Sequence, residues 1–160
     1  MLTDYVKYLP LLSMAGWIAM FASKHRSLVL GDCMGLVYHL ALVPVVGLLP
    51  GGAALHFIGY LWLLSDAMVD MASINGATHD TTWTARMCVH LPASIWIAGA
   101  SAGMTGPAFV IGIPLGVGLF LHALYSPRLT NTRKVLGSFV VPGMIAWLLS
   151  VAYYLGAFMA

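Results

Sequence analysis

The chain has 160 residues, of which 61% are hydrophobic and only 8% charged, with a mean hydropathy of +0.92 and a formal net charge of +2. Soluble domains carry about a quarter of their residues as charged side chains, so this composition excludes an ordinary soluble fold and reads as an all-α integral membrane protein. The small, scattered charge also excludes a nucleic-acid partner and leaves the lipid bilayer, in a cell membrane, as the expected surroundings.

Runs long enough to cross about 30 Å of hydrocarbon recur along the whole sequence, so a single polytopic domain over 1–160 is expected. The first run contains Tyr5–Ser23. Asp4 lies where a leader would be basic, and no small-x-small site follows, so the run reads as a span. Further spans are predicted at Leu28–Leu49, Ala53–Ser73, Met87–Met104, Pro107–Tyr125 and Gly137–Met159, giving six transmembrane helices. The breaks are KHR, PGG, INGATHDTTWTA, TG and SPRLTNTRKVL. Gly103, Gly106 and Pro107 separate the fourth span from the fifth, because proline and nearby glycines interrupt helices.

Lys24, Arg26, Arg86, Arg128, Arg133 and Lys134 fall in the first, third and fifth breaks, while the second and fourth hold no lysine or arginine. The positive-inside rule then puts the odd-numbered loops in the cytoplasm and both termini on the opposite side, with Lys7 the exception. Halves 1–75 and 87–160 also echo each other. Trp17–Ala19 and Trp96–Ala98 both read WIA, while Gly35, His39 and Pro44 share the spacing of Gly118, His122 and Pro127. Trp62–Ser65 and Trp147–Ser150 both read WLLS. Three spans per half imply a 3+3 inverted-topology repeat, as in many secondary transporters.

Only the first half carries acids inside its spans. Asp66 and Asp70, at i and i+4, project from one face of the third span together with Gly59, Trp62 and Ser73, while Leu63, Leu64 and Met68 lie elsewhere. Asp32, Gly35 and His39 share a face of the second span, and His90 and His122 lie about one turn from the cytoplasmic ends of the fourth and fifth. An aspartate at membrane depth costs at least about 2.5–3.5 kcal/mol, so it faces the bundle interior and finds a partner. Asp66, Asp70, His39, Asp32, His122 and His90 are therefore the candidate binding residues, with Asp66, Asp70 and Asp32 the candidates for catalysis. A plainer alternative has Asp70 reaching the headgroups and only Asp66 buried. His90 and His122, at equal depth, are candidate metal ligands, either axial to a haem or sharing a metal ion with Asp66 and Asp70.

His25, His56 and His79 read as interfacial or loop residues, Cys33 and Cys88 as buried free thiols, and Trp83, Tyr5, Tyr8 and Tyr125 as interfacial anchors. Gly31 with Gly35 and Gly112 with Gly116 form GxxxG steps for close helix packing. Pro114, and Pro142 with Gly143, interrupt the fifth and sixth spans, a feature that marks binding sites in some transporters. The SINGATHDTTW segment reads as a lid or a connector at the cavity mouth. No P-loop, HExxH, GxSxG or paired CxxC motif is present. GASAG at 99–103 lies within a span, and no mid-depth lysine offers a retinal attachment point.

Three functions fit these residues. The first is a small carrier of an ion or polar solute coupled to protons, small enough that a homodimer is a natural assembly. The second is a membrane-embedded enzyme acting on a lipid or isoprenoid substrate from the cytoplasmic leaflet, with carboxylates as general acid and base. The third is a haem-binding or accessory subunit of a larger membrane complex.

Overall fold

The computed structural model describes residues 3–24, 26–125 and 130–159, with the side chains of Thr3, Asp4, residues 130–134 and Leu136 outside that description. The expectations for His25, Pro127, Arg128, Arg133 and Lys134 concern residues or side chains that lie outside it. The described residues are all-helical: a short α1 (Thr3–Val6) and six long helices, α2 (Leu9–Lys24), α3 (Leu28–Val46), α4 (Ala53–Ile74), α5 (His79–Ala102), α6 (Pro107–Tyr125) and α7 (Thr130–Tyr154).

Local chemistry explains where these boundaries depart from the hydropathy reading. Pro10, at the second position of α2, cannot donate a backbone hydrogen bond or tolerate a preceding helical turn, so α1 and α2 are separate. α5 begins eight residues before the expected Met87. Thr78 caps it, its Oγ1 accepting from Thr81 N, and Asp80 complements the positive end of the first turn. His79 is thus a helical residue, and the expected long loop shrinks to residues 75–78. Gly76, at φ +92°, makes the turn out of α4. α7 starts at Thr130, so the expected fifth loop is largely helix. Both α6 and α7 run unbroken through Pro114 and Pro142, which correct the expected interruptions.

Four segments, Leu28–Val46, Ala53–Ile74, Pro107–Tyr125 and Gly137–Tyr154, are long and apolar enough to cross a membrane. α2 is apolar but has only 16 residues. Large apolar side chains cover the outside of the bundle: Met68 is 70% exposed and Val110 66%.

Each long helix packs against its neighbour in sequence, and α7 packs against α2, closing a six-membered ring. Short connections make neighbours antiparallel. This order bears on the expected repeat. Superposing the second half on the first would shift every helix three places around the ring, keeping its sense, while turning each helix over. A two-fold axis across the bundle turns helices over but reverses the sense of the ring, and no rotation does both. The 3+3 repeat of 1–75 and 87–160 is therefore not built as an inverted two-fold pair. The matching tryptophans instead share one layer. Trp17 contacts Tyr38 at 4.8 Å between ring centroids, Tyr38 contacts Trp62 at 6.4 Å, Trp62 contacts Trp96 at 5.5 Å, and Trp96 contacts Trp147 at 5.7 Å. Contacts at these separations suit tilted and edge-to-face packing.

This aromatic layer divides the interior. On one side, toward the α3–α4 and α5–α6 connections, the core is Leu42, Val45, Val46, Leu49, Ile97, Ala100 and Met104. Its buried polar groups are hydroxyls with local partners, Ser13 Oγ donating to Tyr38 O and Ser101 Oγ accepting from Trp147 Nε1. That bond gives the serine of GASAG a structural role. On the other side lie the buried charged groups of the described residues. That end, which carries Lys24, Arg26 and Arg86, is termed the basic end.

Candidate functional site

The site starts from α4, where the helical repeat brings Gly59, Trp62, Asp66 and Asp70 to the interior with Leu63 and Ala67. Leu63 is fully buried, so the inward face is wider than the expected stripe, whereas Leu64 and Met68 do point outward. Asp32, Asp66 and Asp70 are 4%, 5% and 0% exposed. The last value overturns the alternative in which Asp70 reaches out to the headgroups. Gly35 of α3 makes room for it: a Cβ at this position would sit 2.6 Å from Asp70 Oδ2.

His39, from α3, lies between the two α4 carboxylates. Its Nδ1 is hydrogen-bonded to Asp70 Oδ2 at 3.1 Å, and its Nε2 stands 3.0 Å from Asp66 Oδ2. Arg86, from α5, closes the cluster. Its Nη2 lies 2.6 Å from Asp70 Oδ1 and donates to Asp32 Oδ1 at 2.9 Å, while Nη1 is 3.8 Å from Asp66 Oδ1. The second oxygen of Asp32 accepts from Ser73 Oγ at 2.5 Å. Arg86 is the residue that sequence reasoning missed, having read it as a loop charge that sets topology. The available signal was charge balance: three acids within the spans need a cation, and Arg86 directly precedes the fourth expected span.

Across from this cluster, His90 of α5 and His122 of α6 lie with ring centroids 5.5 Å apart. Because α5 starts at His79, His90 is about three turns into its helix rather than one. The two groups face a cavity of about 260 Å³ whose wall draws on all six long helices. His39, Asp66, Arg86, His90 and His122 give it a polar side, and Trp17, Phe21, Met87 and Val140 an apolar one. A second cavity of about 440 Å³ lies at the basic end and includes Asp32, Ser73, His79 and Thr82. The two have Phe21, Lys24, Trp83 and Arg86 in common, which form the partition between them.

All six expected site residues therefore collect in one half of the bundle: His39, Asp66, His90 and His122 line the inner cavity, Asp32 lines the outer one, and Asp70 is buried behind His39. Asp66 Oδ1 accepts no hydrogen bond, and neither does His90 Nδ1 take part in one. Both residues line the inner cavity. The metal expectation fares less well. Among the described residues no three His, Cys, Asp or Glu side chains converge as a metal site requires. The imidazoles of His90 and His122 already contact each other, and about 260 Å³ falls below the roughly 300–1,000 Å³ of typical ligand pockets. These residues do not fit a porphyrin held between two axial histidines.

The remaining expectations resolve simply. His56 Nε2 is 3.0 Å from Leu49 O and ties down the α3–α4 connection. Cys33 is half-buried and Cys88 exposed, which corrects the expected pair of buried thiols. Tyr5, Tyr8 and Tyr125 are exposed, while Trp83 is half-buried in the cavity partition. No protein-family model, curated protein or solved structure matches the chain, so the reading of its function rests on this geometry.

Proposed function

We propose that the protein is an integral membrane carrier that takes up a small ion or polar solute in its central cavity in exchange for a proton. The observation that carries this reading is the placement of His39 between Asp66 and Asp70, with Asp66 on the cavity wall and its Oδ1 accepting no hydrogen bond. A neutral imidazole has one N–H, and a bare nitrogen lone pair 3.0 Å from a carboxylate oxygen would be repelled. Both contacts are favourable only if the three groups together hold one proton more than a neutral histidine and two carboxylates. A solute that engages Asp66 alters that arrangement directly, which is the physical basis for coupling.

The distribution of basic residues supports a cell-membrane orientation with the basic end in the cytoplasm and the termini opposite. The exposed apolar side chains around the ring support contact with lipid. The test is to reconstitute the protein in liposomes and record solute-evoked charge movement at two pH values for a panel of small organic cations, zwitterions and anions. Pulses of at least one class should give pH-dependent currents that Asp66→Asn removes. A folded protein that is silent to the whole panel would exclude the carrier.

A second reading, an enzyme working on a lipid or isoprenoid from the cytoplasmic leaflet, is favoured by the aromatic layer that closes the cavity at depth. It predicts chemical conversion of added lipid without any transmembrane current.

A further inference from the structure

We infer that the solute is a small zwitterion with an apolar body, of the size of an α-amino acid with a large apolar side chain. The inference rests on the reading of the inner cavity as a solute site and names the class of molecule it selects. Three observations lead to it.

The first is the charge left over at the inner end. Asp32, Asp66 and Asp70 face one guanidinium and the single extra proton held around His39, so one negative charge has no cation in ion-pairing contact. Arg86 is committed at short range to Asp70 and Asp32, while it stands 3.8 Å from Asp66 Oδ1, which accepts no hydrogen bond. A protonated amine placed there supplies both the missing donor and the missing charge.

The second is Lys24, at the last turn of α2, which lines both cavities. Among the described residues no carboxylate lies within ion-pairing distance of it, and its ammonium group rests 5.7 Å from the Phe21 ring centroid. A cation on a flexible stem at the boundary between inner cavity and outer vestibule is placed to receive an acid group.

The third is what lies between them. Trp17, Phe21 and Met87 line the cavity, and its volume corresponds to about nine waters at ~30 Å³ each, which suits a solute of roughly ten non-hydrogen atoms. Negative inside, apolar between and positive at the mouth is the complement of an amine, an apolar body and an acid. The outer cavity, sharing Lys24 and Phe21, is the route of approach from the basic end.

The test is calorimetric titration of the purified full-length protein in mild detergent with three probes that share one body: phenylalanine, phenethylamine and 3-phenylpropionate. Phenylalanine should bind at least tenfold more tightly than either analogue, and glycine should bind weakly. Lys24→Gln should abolish the preference for phenylalanine over phenethylamine, and Asp66→Asn the preference over 3-phenylpropionate. Lys24 is half-exposed at a helix end, so its variant keeps the test decisive if Asp66→Asn fails to fold. Phenethylamine binding as tightly as phenylalanine would overturn the zwitterion while leaving a cation carrier standing. Equal binding of glycine would overturn the apolar body. Binding of none of the probes would overturn the inference, and the carrier reading would fall with it only if the liposome panel were also silent.

Discussion

Asp66 and Asp70 stand one helical turn apart on α4 yet have different surroundings. Asp70 is fully enclosed, with one oxygen on His39 and the other 2.6 Å from Arg86, whereas Asp66 lines the cavity and its Oδ1 is 3.8 Å from Arg86. Removing one partner from a buried charge pair leaves the other uncompensated, at a cost of about 3–5 kcal/mol. Asp70→Asn, which loses partners on both oxygens, should therefore lower thermal stability in detergent more than Asp66→Asn, whose close partner is His39 alone and which should remove the pH-dependent currents that the carrier reading expects. Similar melting temperatures for the two variants would contradict this division. Arg86→Lys should also destabilise, because a compact ammonium cannot reach Asp32 and Asp70 together as the planar guanidinium does. Thermal melting of Arg86→Lys beside Arg86→Met would separate lost geometry from lost charge. The acids were legible in the sequence because a carboxylate inside an apolar run is conspicuous. Arg86 was not, because a basic residue near a helix end has an ordinary explanation in topology.

Among the helices, the contact of α3 with α4 sets the site. Gly35 allows Asp70 to lie against the α3 backbone, and a methyl group there would collide with the carboxylate. Gly35→Ala should cost about 1–3 kcal/mol through overpacking and push Asp70 away from His39. A Cβ at Gly137 of α7 meets no atom within 4 Å, so Gly137→Ala should instead gain up to about 1 kcal/mol of helix propensity. Comparing the two melting temperatures checks that the penalty comes from the carboxylate and not from loss of glycine as such. The start of α5 was misplaced from sequence for a related reason. Hydropathy falls over His79–Arg86, but the Thr78 cap and Asp80 hold this polar stretch helical. Those eight residues deliver Trp83 and Arg86 to the partition between the cavities.

Taken whole, the ring is polarised: charged groups and cavities occupy the basic end, and an aromatic layer seals the other half. If the basic end is cytoplasmic, Ala77→Cys should react with an impermeant thiol reagent only from inside and Gly52→Cys only from outside. Both substitutions belong in a background carrying Cys33→Ser and Cys88→Ser. Labelling of both sites from one side would overturn the orientation.

The sequence by itself determined that the chain is helical and rich in span-length apolar segments, because backbone groups in apolar surroundings must be satisfied within the segment and hydropathy records that directly. It also determined that Asp32, Asp66, Asp70, His39, His90 and His122 belong at one end of the bundle, since their depth follows from counting along each helix. Only the tertiary structure decided how they divide. Rotation of α5 against α4 assigns Arg86 to the acids and His90 to His122. The closing of α7 on α2 fixes a ring order that excludes an inverted two-fold repeat. These features depend on how helix faces mate and on the sense in which the ring closes, and neither is written in the period of any single helix.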